Sequence, residues 1–174
     1  MTTLSSVLLQ ECKAIVQNGS GAIKDLVNAA KKGKWTSQDT TQLVSLVQPL
    51  IQYLEGYNSV GFIVAGSVGF IVSAEEVPGV VLNTQNLTAA PYFYNFIGGD
   101  IGLSEGAEAA VGVLIAEGVP SSLSGWQVFA DASATVVGGV GVQYSPEGQF
   151  FVFVATGEEV NISVGGGDTS VKQL

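Results

Sequence analysis

Histidine and arginine are both absent from the 174 residues, and cysteine occurs once, at Cys12. Ser-His and Cys-His nucleophilic chemistry need an imidazole, so neither is available to this chain. One thiol cannot form an internal disulfide, and structural zinc sites draw four ligands from Cys and His, so a cysteine-based metal cluster is excluded. Charge is also scarce. Only 12% of residues are Asp, Glu, Lys or Arg, against roughly 25% in ordinary soluble domains. The six cations are lysines at 13, 24, 31, 32, 34 and 172, and fifteen acids set against them give a net charge of −9. Between Trp35 and Val171 there is no cation at all. That stretch cannot clamp a phosphate and would repel a polyanion, which excludes nucleic acid as its partner.

The acids do not suggest a site of their own. Glu75-Glu76, Asp100 with Glu105 and Glu108, and Glu158-Glu159 lie close in sequence, but they lack the spacing of a calcium loop and read as solvated carboxylates. Nothing arranges a carboxylate pair around a glycosidic bond. The expectation is a protein without catalytic residues, metal or cofactor. The N-terminus has no basic segment followed by a long apolar run, so no secretory signal is expected. The uncharged stretch 56–74 is interrupted by glycine and does not read as a membrane helix. The expected location is cytoplasmic, peripheral at a membrane.

Apolar residues make up 47% of the chain, with a mean hydropathy of +0.40. This is ample material for one core, and disorder is excluded. Over 4–17, Leu4, Val7, Leu8, Cys12 and Ile15 recur at helical steps. Asn18-Gly19-Ser20-Gly21 reads as a break, and a second helix is expected over 22–32, stopped by Gly33. Thr36 or Ser37 can cap a third helix reaching about Tyr57, with a kink or break at Pro49.

Beyond Tyr57 the texture changes to short β-branched and aromatic runs bounded by Gly, Pro and Ser. Strands are expected near 59–64, 68–73, 80–83, 92–96, 127–137, 140–144, 150–155 and 160–164. The run 110–115 fits a helix or a buried strand, with its β-branched residues favouring the strand. A short helix is expected at Pro120. The turns Pro146-Glu147-Gly148 and Gly157-Glu158-Glu159 suggest a closing antiparallel meander, and Gly165-Gly166-Gly167 reads as a turn. Glycines within strands imply tight curvature or close backbone approach. The expected fold is α+β: a strongly curved antiparallel glycine-rich β-sheet or small barrel with N-terminal helices packed against it. The division is residues 1–57, helical, and residues 58–174, β-rich.

Four blocks in order carry a family resemblance. They are the glycine-rich run 61–69, the segment Ala90-Pro91-Tyr92-Phe93-Tyr94 leading to Gly98-Gly99-Asp100-Ile101-Gly102-Leu103, the block Gly106-Ala107-Glu108-Ala109 with 111–115, and Phe129-Ala130-Asp131-Ala132-Ser133-Ala134 with Gly138-Gly139-Val140-Gly141. Together they resemble the SYLF lipid-binding domain family over roughly residues 58 to 165. The resemblance implies a non-enzymatic lipid-binding, membrane-associated module. In eukaryotic members the ligand is a phosphoinositide, and some members work beside cytoskeletal or endocytic proteins.

The candidate lipid-binding residues are Lys13, Lys24, Lys31, Lys32 and Lys34, in a segment whose local balance is +3. Near an anionic surface each lysine is worth about 1 kcal/mol. The bland alternative is that the helices cover the sheet while their lysines are solvated. Tyr92, Tyr94 and Phe96 alternate onto one strand face and Phe93 onto the other, as core or as the lining of an apolar ligand site. Core packing is expected of Trp35 and Trp126, and burial of Cys12. The partners weighed are thus an anionic membrane lipid, an apolar small molecule carried inside the sheet, and a second copy in a homo-oligomer.

Overall fold

The computed structural model describes residues 4–65, 75–99, 110–137, 140–154 and 165–174. Helix α1 runs unbroken from Ser6–Lys31, with the Ser5 hydroxyl capping the amide of Leu8. The expected break at Asn18-Gly19-Ser20-Gly21 does not occur. Glycine costs a helix interior only about 1 kcal/mol, and α1 buries Leu8, Leu9, Cys12, Val16, Ile23, Leu26, Val27 and Ala30 along its length. Packing on both sides of the glycines outweighs their preference. A Cβ on Gly19 would stand 3.3 Å from Leu46 Cδ2, so the small residue also admits the neighbouring helix. The stop is where expected, at Gly33 with φ +70°.

Helix α2 spans Ser37–Val47 and opens with a capping box in which Thr36 and Asp39 bond each other's backbone amides. Pro49 ends the α-helix as expected. A 3₁₀ turn over Gln48–Tyr53 takes its place.

Eight strands follow among the described residues: β1 (Ser59–Ala65), β2 (Glu75–Asn83), β3 (Tyr92–Gly99), β4 (Ala110–Ala116), β5 (Gly125–Val137), β6 (Val140–Ser145), β7 (Gln149–Val154) and β8 (Gly165–Gln173). All pair antiparallel, and they close into a barrel in the order β1-β2-β3-β8-β5-β6-β7-β4. The structure is thus α+β, with the two helices packed on a closed antiparallel barrel. The run 110–115 is a strand and Pro120 opens a 3₁₀ turn.

Three readings are corrected. β2 begins at Glu75 rather than 80, because Pro78 takes an outward position opposite Asn95 and Gly79 an inward one, so Pro-Gly continues the strand instead of turning it. Gly165-Gly166-Gly167 is not a turn but the start of β8, paired with β3 on one side and β5 on the other. The hairpin of β6 and β7 at Pro146-Glu147-Gly148 is present, yet the meander does not continue from β7, whose other side is taken by β4. The strands expected at 68–73 and 160–164 and the turn at 157–159 lie outside the described residues.

The described residues form two apolar cores. One lies between the helices and the outer faces of the strands they cover, where Val60, Phe62, Leu82, Val113, Ile115 and Phe150 meet α1 and α2 residues. The other fills the barrel with Ile63, Val77, Val81, Tyr94, Phe96, Leu114, Phe151 and Phe153. Inward glycines make room for these rings. A Cβ on Gly98 would come within 2.7 Å of the Phe96 ring, and one on Gly61 would overlap the Val80 carbonyl oxygen.

Candidate functional site

Strand alternation sends Tyr92, Tyr94 and Phe96 into the barrel and Phe93 outward against the helical core. Phe151 is the hub of the interior, edge-on to Tyr94 at 6.1 Å, to Phe96 at 6.2 Å and to Phe153 at 6.0 Å between ring centroids. These rings line the barrel interior.

The interior polar groups gather near the end of the barrel at which β7 begins. Tyr94 Oη donates to Gln149 Oε1 at 3.1 Å, Gln149 Nε2 donates to the Leu123 carbonyl at 3.5 Å, and Ser145 Oγ donates to Gln127 Oε1 at 2.7 Å. Ser145 also meets the Glu147 carboxylate. Burial pushes the Tyr94 phenol well above its ordinary range, and the nearby Thr169 hydroxyl opposes the shift only in part. Thr169 Oγ1 is buried without a hydrogen bond of ordinary geometry.

Cys12 is fully buried on α1, as expected. Desolvation first, and then the nearby Glu11 carboxylate, raise its thiol from 9.0 to about 12, which makes it inert rather than nucleophilic. Among the described residues no group of three or more Cys, Asp or Glu could hold a metal ion. The side chain of Asp131, and residues Asp100, Glu105 and Glu108, lie outside what is described.

The five candidate lysines fall into two sets. At 100° per residue, positions 13, 24 and 31 of one helix coincide within about 20°, so Lys13, Lys24 and Lys31 form a row along one side of α1, spanning about 27 Å at 1.5 Å per residue. Lys32 is the C-cap, about 100° around the helix, and Lys34 lies beyond Gly33. Lys13 is half-buried, and the other four are exposed. Lys31 Nζ forms an ion pair with Glu76 Oε2 at 3.2 Å, both side chains remaining partly solvated. The apolar stripe of α1 is closed against the barrel, so the helix presents charge outward but no apolar face.

An apolar surface lies elsewhere. Trp35 is half-buried and its Nε1 donates to Thr40 Oγ1 at 2.9 Å, but Trp126, expected in the core, is 67% exposed. It stands on the outer face of β5, paired with Asp168 of β8, which pairs in turn with Ile97 of β3. Ile97 is 52% exposed, and so is Val128 beside them, at 43%. The helices do not cover this part of the barrel. The sequence hid it because Gln127 points inward to Ser145 while its apolar neighbours point out, the reverse of ordinary strand patterning.

No described helix is long and apolar enough to cross a membrane. A barrel that crosses a bilayer carries its apolar side chains outward and polar ones inward. Here the rings are inside, and Glu76, Asn95, Asp168, Ser170 and Lys172 are at outward positions.

No protein-family model matches the chain, and no curated protein matches it in sequence. Among solved structures it is similar to a β-barrel-like, uncharacterised protein from Brucella abortus, with a TM-score of 0.51 over 87% of this chain and 94% of that one. The two are 13% identical. This likeness establishes a shared fold and carries no activity.

Proposed function

We propose that the chain is a non-enzymatic, peripheral lipid-associating module of the SYLF type, whose lysine-bearing helix α1 faces an anionic membrane. The observation that carries the reading is the in-phase row of Lys13, Lys24 and Lys31 on one unbroken helix, continued by Lys32 and Lys34, on a protein that otherwise has a single cation. A polarised molecule of this kind turns its cationic side to a negative surface. The barrel shared with the Brucella abortus protein supports it at the level of fold, as do the four ordered sequence blocks.

Flotation with phosphatidylcholine vesicles, with and without about one third phosphatidylserine, tests the proposal. Binding is expected to the anionic vesicles alone and should fall as salt shortens the Debye length toward about 3 Å at 1 M. No flotation on either vesicle at low salt overturns it. Self-association is the second reading, and the exposed face around Trp126 favours it. The route through strand edges is closed among the described residues, since every strand is paired on both sides. Light scattering on the vesicle-free protein separates the two readings.

A further inference from the structure

A row of cationic side chains with its apolar stripe turned inward attracts a membrane but has nothing to insert into it. We infer that the exposed part of the outer face where β3, β8 and β5 meet is the insertion surface, with Trp126 as the interfacial anchor and Ile97 and Val128 beside it. This rests on the lipid-associating reading above and names the element that reading lacks.

Three of the five exposed large hydrophobic side chains among the described residues, Ile97, Trp126 and Val128, fall on this one face. They are close neighbours. Ile97, Asp168 and Trp126 form one cross-strand row, and adjacent strands are about 4.8 Å apart. Val128 is opposite Gly166, and a Cβ on that glycine would sit 3.2 Å from Trp126 Cζ2 and 3.6 Å from Val128 Cγ2, so the two side chains converge over a position that has none. The indole is therefore propped outward on a bare stretch of backbone. Trp is the side chain best suited to the boundary between acyl chain and headgroup.

Charge selects the occupant. Glu76 pairs with Ile97 across β2 and β3, and the same Glu76 carries the ion pair to Lys31. The cationic end of α1, with Lys32 and Lys34 following, is thereby pinned at one border of the face. Lys172 is exposed further along β8. Lys31 offsets Glu76, leaving Asp168 as the acid within the row. An apolar centre with ammonium groups at its border complements an anionic lipid surface, where the hydrocarbon boundary takes the indole and the headgroups take the lysines.

The test uses the full chain carrying Trp35→Phe, so that Trp126 is the only fluorophore of its kind. On vesicles containing about one third phosphatidylserine, its emission should move to shorter wavelength and be quenched by brominated acyl chains. Trp126→Ser with Val128→Ser should weaken flotation about tenfold with little change in the melting temperature, because neither side chain belongs to a buried core in the free protein. Lys32→Glu with Lys34→Glu should weaken it comparably and lessen its salt dependence, the row of Lys13, Lys24 and Lys31 being retained. If the parent protein floats but Trp126 is neither shifted nor quenched and the double serine variant floats equally well, this inference is overturned and the functional reading stands. Failure of the parent protein to float overturns both. A dimeric mass with Trp126 shielded from iodide in the absence of vesicles also overturns the inference, assigning the face to a second copy.

Discussion

Gly61 and Gly21 show how differently one residue type is constrained. A Cβ at Gly61 would overlap the Val80 carbonyl oxygen of the neighbouring strand, whereas one at Gly21 meets nothing within 4 Å. Gly61→Ala should therefore lower stability by about 1–3 kcal/mol, and Gly21→Ala should raise it by about 0.5–1 kcal/mol. Urea denaturation midpoints check both, and equal effects would refute the distinction. The sequence marks both as glycine and cannot separate them, because the difference lies in what the partner strand brings close.

Cys12 was legible from its place on a helical stripe, and its behaviour follows from burial. Its raised pKa means that the folded state holds the thiol proton more tightly than the unfolded chain does. This contributes stability in full below about pH 9, and the contribution is lost as pH climbs from about 9 to about 12. In that window the wild type should lose stability with rising pH more steeply than Cys12→Ser. A thiol reagent at neutral pH should modify Cys12 only at the rate of opening.

At the level of elements, the sequence was most readable where periodicity and caps agree. Thr36 with Asp39 forms the cap of α2, and Thr36→Ala should cost about 1 kcal/mol, seen as an earlier melting transition. The inward parity of Tyr92, Tyr94 and Phe96 was legible for the same reason. Propensity misled where tertiary contacts outweigh it. Two glycines sit inside α1 because the helix packs against both α2 and the barrel, and Pro78-Gly79 continues β2 because a proline at an outward position and a glycine at an inward one both fit the pleat there. Gly165-Gly166-Gly167 looked like a turn because it has no side chains. Those bare residues let the strand pass close to Ile97 and under Trp126. The candidate site was half legible. The lysines announce themselves by composition, whereas the exposure of Trp126 depends on which strands the helices leave uncovered, which no local pattern encodes.

For the molecule as a whole, the curved sheet expected from glycine-rich strands closes fully, and the closure depends on one element. β8 alone joins β3 to β5. Removing residues 165–174 should leave an open seven-stranded sheet with two bare edges, and the shortened chain is expected to oligomerise or precipitate where the full chain does not. Size-exclusion with light scattering checks this, and a well-folded monomeric product would refute it. The same strand also imposes a timetable. Every other strand leaves the ribosome before β8, so a nascent chain holds its half-made ring open until residues 165–173 emerge. The closing step therefore joins partners far apart along the chain and should set the pace of folding.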